Sequence, residues 1–579
     1  MDLDIIKEKA AEYLGFEEND FFRSELTEVL ENGTAEELSD RFYTELSFGT
    51  GGLRGIIGGG YNRMNPYTVR KATQGLSDYI KKNVSGGSVV IAYDSRNYSD
   101  LFAREAALNL CANKIKVWLF TSLRPTPELS YAVRELGATA GIVVTASHNP
   151  PEYNGYKVYW SDGGQITPPH DAGIIEMVKN VRTPEKAMTE LEAIRSGLLV
   201  YIDKEIDDKY VSMVKKYFLN PALVKEKGKN LKVVYTPLHG TGTMLVERIL
   251  GELGIEVLTV PEQREPDGNF PTVDYPNPEE ASAMRMALEL GKKHGANLVL
   301  GTDPDADRLG IAVPDENGEF VLVTGNQLGC LLGDYIFSEL QKQGKMPDKP
   351  VLVKTIVTTE LQRLIGNSYG AEVVDVLTGF KYIGEKMKEF ESTGQNYVFG
   401  GEESYGYLVE TEVRDKDAVS AAVLTAEMAL VNMNRGMSLI DHLNDIYKRF
   451  GYFEEILISK TFKGQSGLEK IGGLMTRLRE NSPESIGGSR VAIIRDFGRG
   501  VEKEIPSGNE SRIELPSSNV LQFVLDDKTI ITARPSGTEP KIKFYASCRA
   551  EKGTDHASSV ADVKGRLNRI TEDVERLCT

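Results

Sequence analysis

Gly141-Ile142-Val143-Val144-Thr145-Ala146-Ser147-His148-Asn149-Pro150 joins an unbroken apolar run to a polar loop. An apolar run this short, with no polar alternation, predicts a strand buried on both faces. Asn149-Pro150 keeps the chain from entering a helix at once, because proline disfavours helical backbone at the residue before it. A serine hydroxyl therefore follows the carboxyl end of a strand, the edge at which open α/β sheets bind ligands. Taken alone, a serine on such a loop is usually a turn residue.

A second loop raises its significance. Asp303-Pro304-Asp305-Ala306-Asp307-Arg308 follows the strand-like Leu298-Val299-Leu300 and leads into Leu309-Gly310-Ile311-Ala312-Val313. Three carboxylates at alternate positions of a proline-stiffened turn offer hard oxygen donors suited to Mg²⁺. An EF-hand is excluded, since it needs Gly at the sixth position and Glu at the twelfth. Arg308 and Pro314 stand there. A solvated acidic turn is the alternative reading.

A serine nucleophile, a carboxylate-bound cation and phosphate cradles together describe phosphoryl transfer. Two stretches supply cradles. Arg534-Pro535-Ser536-Gly537-Thr538-Glu539-Pro540, after the β-branched Thr529-Ile530-Ile531-Thr532, combines a guanidinium fork, hydroxyls and the amides around a glycine. Phe48-Gly49-Thr50-Gly51-Gly52-Leu53-Arg54-Gly55 is a second glycine-rich loop with an arginine.

The 579 residues suggest roughly four domains of about 150 residues each. With 40% hydrophobic and 26% charged residues, the composition is that of an ordinary soluble globular protein. A net charge of −17 argues against nucleic acid as a partner. Cys111, Cys330, Cys548 and Cys578 have no C-x-x-C spacing, so neither a disulfide framework nor a zinc site is implied. The opening Met1-Asp2-Leu3-Asp4 carries no signal-like apolar region, and no apolar run reaches membrane-spanning length. The expected location is cytoplasmic, with no membrane partner.

Strand-like and helix-like patterns alternate, which signals α/β units. The first 40 residues read as charged helix outside the first sheet. Val89 to Tyr93, Ile115 to Phe120, Leu231 to Tyr235 and Val351 to Val353 read as strands. The helices expected between them include Phe102 to Leu108 and Glu128 to Leu136. After Gly451 the pattern is strand-rich, then helical, ending in a charged helix from about Ser559.

In this order along the chain, Thr145 to Pro150, Asp303 to Arg308, Gly400-Gly401-Glu402-Glu403-Ser404-Tyr405-Gly406 and Arg534 to Thr538 resemble the motifs of the α-D-phosphohexomutases. Phe48 to Arg54 and Arg414-Asp415-Lys416-Asp417 support the likeness, which points to the bacterial phosphoglucomutase branch with its related phosphopentomutases. The resemblance implies an α/β protein of four α/β domains around a central cleft, the last a smaller α+β domain. Their expected spans are 1–205 (phosphoserine loop), 206–318 (metal), 319–445 (sugar) and 446–579 (phosphate).

The implied reaction interconverts α-D-glucose 1-phosphate and glucose 6-phosphate through a phosphoserine and a bisphosphate. Mg²⁺ would be held by Asp303, Asp305, Asp307 and the Ser147 phosphate, with glucose 1,6-bisphosphate as activator. The partners are small-molecule sugar phosphates. Ser147 is the nucleophile, with His148 either assisting proton transfer or making a structural hydrogen bond. Lys157 matches a lysine near the transferring oxygen, and Arg54 supports phosphate. Arg308, Thr378, Gly379, Glu402, Ser404, Lys416, Arg534, Ser536, Gly537 and Thr538 are the expected substrate contacts. Of these, Glu402 and Ser404 face sugar hydroxyls, and the serine favours a hexose. Phosphopentomutase, phosphomannomutase and glucose 1,6-bisphosphate synthase remain alternatives. His239, in Pro237-Leu238-His239-Gly240-Thr241-Gly242, has two readings, as a lining residue or a structural one.

Overall fold

The structure is a computed structural model describing residues 3–462, 465–536, 541–553 and 555–578. The chain divides into two compact units. The first comprises Met1–Gly325, Phe380–Gly400 and Ser404–Gly436, and the second Asn326–Gly379, Gly401–Glu403 and Met437–Thr579.

The first unit holds two sheets. One runs in the spatial order Gly52–Ile56, Tyr153–Trp160, Ala140–Val144, Ser88–Tyr93, Lys116–Phe120, Leu199–Ile202. Ala140–Val144 is wholly buried, as its apolar run requires, and lies parallel to Ser88–Tyr93 but antiparallel to Tyr153–Trp160. The polar loop 145–152 therefore connects neighbouring antiparallel strands. Antiparallel pairing also sets Gly155 opposite Arg54, and sets Lys157 opposite both Gly52 and Val143.

The second sheet has the order Phe320–Val323, Leu309–Pro314, Leu298–Thr302, Lys232–Thr236, Glu256–Thr259. Its hairpin between Leu298–Thr302 and Leu309–Pro314 is closed by the aspartate loop.

Helix boundaries follow capping chemistry. Pro66–Asn83 starts at Asn65 with a capping box to Thr68 and a proline in its first turn. Ala418–Asn434 is capped by Asp417, whose side chain accepts from the Ser420 amide, and it is apolar and buried along most of its length. That cap fixes the backbone just after Lys416. At the amino end, three helices (Leu3–Phe16, Asp20–Asn32, Ala35–Phe42) bury Ile6, Ala10, Tyr13, Leu26 and Phe42 against Tyr61 and Tyr67. Arg41 pairs with Glu25 at 2.6 Å and donates to the Gly59 carbonyl, tying these helices to the turn after Arg54.

In the second unit, Pro350–Thr355 and Glu372–Val376 pair in parallel. A long antiparallel sheet runs in the order Phe453–Thr461, Lys541–Arg549, Ile530–Pro535, Leu521–Leu525, Ser489–Asp496, Val501–Glu504, Glu510–Arg512. Residues of the helices Gln465–Glu480 and His556–Cys578 join its apolar core. Among the described residues no helix is long and apolar enough to cross a membrane.

Candidate functional site

Ser147 has a left-handed backbone (φ 52°), a conformation that costs a non-glycine residue free energy and is concentrated at functional loops. Its amide donates to Thr145 Oγ1 at 2.8 Å, while the Thr145 amide donates to the Gly155 carbonyl. The hydroxyl is thereby directed at the aspartate loop. Ser147 Oγ donates to Asp303 Oδ2 at 2.7 Å and lies 3.2 Å from His148 Nδ1.

The aspartate loop is built from its own backbone. Asp303 Oδ1 accepts from the amides of Asp307 and Arg308, and Ala306 turns the chain with φ 49°. Carboxylate oxygens of Asp303, Asp305 and Asp307 lie within 4.8 Å of one another, and all three residues are buried. Lys157 Nζ contacts Asp305 Oδ2 at 2.9 Å and Asp307 Oδ2 at 3.5 Å, while Lys416 Nζ reaches Asp307 Oδ2 at 3.0 Å. Gly406 lets Lys416 pass, since a Cβ there would collide with the lysine stem.

These charges shape each other. Burial, followed by the neighbouring Asp305 and Asp307 carboxylates, drives the Asp303 carboxyl well above its ordinary range. Burial pushes Asp305 the same way, but the Lys157 ammonium overcomes it and holds Asp305 below the usual range. Burial and the nearby Arg308 and Arg54 hold the His148 imidazole well below its ordinary value.

The donor set fits Mg²⁺. Asp305 Oδ1 and Asp307 Oδ1 are buried with no hydrogen-bond partner among the described residues, an expensive state for anionic oxygens unless a cation serves them. Three carboxylates crowd together here, and the Asp303 carboxyl, raised by burial, also registers the repulsion of its two neighbours. A serine phosphate would add about −1.5 to −2 charge, so a divalent ion of the hard, oxygen-seeking kind restores the balance.

Other expected residues are distributed as follows. Arg54 is exposed on Gly52–Ile56 and donates to Asn149 Oδ1 at 3.3 Å. Arg308 pairs with Glu279 at 2.6 Å and lies 3.9 Å from Asp307 Oδ1. Ser404 is half-buried, and the adjacent Tyr405 carbonyl accepts from the Leu309 amide, just past the aspartate loop. In the second unit, the Gly379 amide donates to Glu402 Oε1 at 3.0 Å, and Thr378 Oγ1 is buried without a hydrogen-bond partner among the described residues. Arg534 stands on Ile530–Pro535 near Tyr545. The Tyr545 hydroxyl is pushed up to about 12 by burial and the Glu403 carboxylate, with Arg534 opposing. The Ser536 amide donates to the Lys541 carbonyl. Gly537 and Thr538 lie outside the described residues.

Comparison with known proteins decides the family. Models of the three α/β/α domains of phosphoglucomutase/phosphomannomutase match residues 45–185, 208–318 and 324–450. The phosphoglucomutase of Staphylococcus saprophyticus is 37% identical over 528 residues, covering 90% of this chain and 94% of that protein. That of Staphylococcus aureus is 38% identical over 525 residues, covering 90% and 93%. The chain belongs to the α-D-phosphohexomutase superfamily, in its bacterial phosphoglucomutase branch.

Solved structures share the fold. A phosphoglucomutase/phosphomannomutase family protein from Burkholderia thailandensis aligns with TM-score 0.64 at 18% identity, over 92% of this chain and 98% of that one. Parafusin, a phosphoglucomutase from Paramecium, aligns with TM-score 0.69 at 17% identity, over 92% and 96%. As a phosphohexomutase, the protein has isomerase-type chemistry and a carboxylate cluster able to hold a divalent metal.

Sequence reasoning missed several groups around this cluster. Thr126 donates from both its amide and its hydroxyl to Asp305. Glu279 neutralises Arg308, and Asp415 is shared by Tyr159 and Lys416. Within the second unit, apart from that cluster, Thr355 and Thr358 both donate to Glu403 Oε2. The Pro125-Thr126 helix start carried a local signal, as a proline-flanked turn, and Asp415 and Glu403 lie within motifs quoted above.

Proposed function

We propose that the protein interconverts α-D-glucose 1-phosphate and glucose 6-phosphate by way of a phosphorylated Ser147 and glucose 1,6-bisphosphate. The observation carrying this reading is the approach of Ser147 Oγ to three buried, mutually close carboxylates. Asp303, Asp305 and Asp307, with an oxygen of the serine phosphate, are the residues that would hold Mg²⁺. When bound, the ion offsets charge on the transferring phosphoryl group.

The chain's own residues account for the rest. A sugar hydroxyl attacks the serine phosphate, so that the Oγ–P bond breaks as a new sugar O–P bond forms. The hydroxyl gives up its proton and Ser147 Oγ gains one, with His148 Nδ1 at 3.2 Å as the relay. After the bisphosphate turns over, Ser147 takes its other phosphate and the freed sugar oxygen is protonated. Lys157, beside Asp305 and Asp307, keeps a positive charge next to the transferring oxygens. Glu402 and Ser404 select the sugar, while Arg534 and Ser536 grip the distant phosphate.

Ser147→Ala tests the covalent role. It is expected to abolish turnover while leaving the fold intact, because one loop hydroxyl opens no core. Activity within about tenfold of wild type, roughly 1.4 kcal/mol in the barrier, would rule it out. Sugar preference is tested by kcat/KM for glucose, mannose and ribose 1-phosphates, where a higher value for the pentose overturns the hexose assignment.

A further inference from the structure

Buried Arg96 and the Pro237–Gly242 stretch take no part in the reaction proposed above, yet they touch its two reacting loops. Arg96 follows the strand Ser88–Tyr93. Its amide donates to Asp94 Oδ1 at 2.9 Å, and its Nε lies 3.5 Å from Asp94 Oδ2. Nη1 donates to the carbonyls of Pro150 (2.8 Å) and Tyr153 (3.1 Å). Nη2 donates to those of Ser147 (2.5 Å) and Asn149. Four carbonyls of one short stretch thus converge on a single guanidinium. A planar five-donor fork can serve them together, whereas an ammonium with three donors on one point cannot. The stretch includes Ser147, whose left-handed backbone needs outside support.

The guanidinium is itself seated. Its Cζ lies over the Phe270 ring, 5.0 Å from the centroid. Phe270 belongs to a turn suspended from His239. The His239 amide donates to the Gln263 carbonyl, and the Asp267 amide donates to the His239 carbonyl. His239 Nδ1 faces the Glu265 carbonyl at 3.3 Å, so Nδ1 carries the proton, and Nε2 accepts from Thr272 Oγ1 at 2.9 Å. The residues that follow abut the aspartate loop. The Thr241 amide donates to the Pro304 carbonyl at 2.8 Å, and a Cβ on Gly240 would come within 2.6 Å of that same oxygen. One loop of the second sheet therefore supports the carboxylates directly and the serine loop through Phe270 and Arg96.

We infer that Arg96, seated on Phe270, is a positioning residue that holds the serine loop in register with the aspartate loop, keeping Ser147 Oγ within reach of Asp303. Its catalytic consequence rests on the reading of Ser147 as the phosphoryl carrier. Arg96 spends its donors on backbone carbonyls, so its loss acts on turnover and spares substrate affinity.

The test uses full-length Arg96→Lys and Phe270→Leu, with steady-state kinetics and amide hydrogen exchange across 145–153. For Arg96→Lys, kcat is expected to fall about 100-fold, the scale of a 1 Å misplacement, with KM changed less than about threefold. Exchange of the loop amides is expected to quicken at least about tenfold, while the strands of the same unit keep wild-type protection. Phe270→Leu is expected to move both readouts the same way by less, and it carries the test if Arg96→Lys does not fold. Wild-type loop exchange, unchanged kcat, a KM effect without a kcat effect, or exchange quickened throughout the unit each overturn the inference. Exchange needs no turnover. If the wild-type chain isomerises no sugar phosphate, the functional reading falls while the loop measurement still decides whether Arg96 is the clamp.

Discussion

Gly155→Ala offers a sharp test of how the serine loop is held. Gly155 lies between Gly52–Ile56 and the start of the serine loop, opposite Arg54 in the antiparallel register. A methyl group there would come within 2.5 Å of the Thr145 carbonyl oxygen and 2.9 Å of the Leu53 carbonyl oxygen. Both obstacles are backbone, so neither can swing away as a side chain would. The Thr145 carbonyl would have to retreat by about 0.9 Å to reach ordinary contact at 3.4 Å. Such overpacking costs about 1–3 kcal/mol of stability. The displaced carbonyl lies two residues before Ser147, so the hydroxyl moves with it. A shift of that size is expected to lower kcat about 100-fold, about 2.7 kcal/mol in the barrier. The assay pairs steady-state kinetics on glucose 1-phosphate with the thermal midpoint and the phosphoserine content of the purified variant. A variant that is destabilised yet keeps kcat within about threefold of wild type would refute the reasoning, because the strain would then be absorbed without reaching the serine.

Three further outcomes follow from the charges. Asp305→Asn keeps an oxygen but loses the charge that balances a cation, so the Mg²⁺ concentration for half activation should rise at least about tenfold; an unchanged activation curve would put the metal elsewhere. Arg534→Ala removes a charge-assisted contact of about 1.5–3 kcal/mol and is expected to raise KM and release more bisphosphate per turnover, with metal affinity little altered; wild-type leakage and KM together would discharge this loop from phosphate binding. Glu455, half-buried and accepting from Ser547, is raised from its ordinary 4.5 to about 7, chiefly by burial. A raised folded-state value means that the native protein keeps a proton the unfolded chain has lost between pH 4.5 and 7. Stability from this group is therefore full below about pH 4.5 and lost as pH rises through 7, by on the order of 2–3 kcal/mol after allowance for partial exposure. Urea midpoints at pH 5 and 8 should show that loss in wild type and not in Glu455→Gln; parallel behaviour of the two would exclude Glu455 as its source.

What could be read directly from the residues was local. Leu298 to Val313 reads as strand, acidic turn, strand because apolar periodicity and turn chemistry act over a few neighbours, and the structure has strands at Leu298–Thr302 and Leu309–Pro314. The same holds for Ala140–Val144 and for the terminal helix, which begins at His556 rather than Ser559. Helix starts shifted by two or three residues, as at Thr126 and Ser99; at Thr126 the flanking prolines set the boundary ahead of the apolar pattern.

The chain by itself determined an α/β architecture, a serine at a strand end, a turn of three alternating aspartates and the order of the motifs, all encoded by residues close to one another in sequence. Tertiary structure alone decided which lysines face which aspartates, that Thr126 serves Asp305 over 179 positions, that Glu279 takes Arg308, and that Arg96 binds four carbonyls beginning 51 residues away. Buried charges and loop carbonyls must find partners wherever folding brings them. No periodicity records those partners, because the energy that selects them exists only once the strands have been brought together.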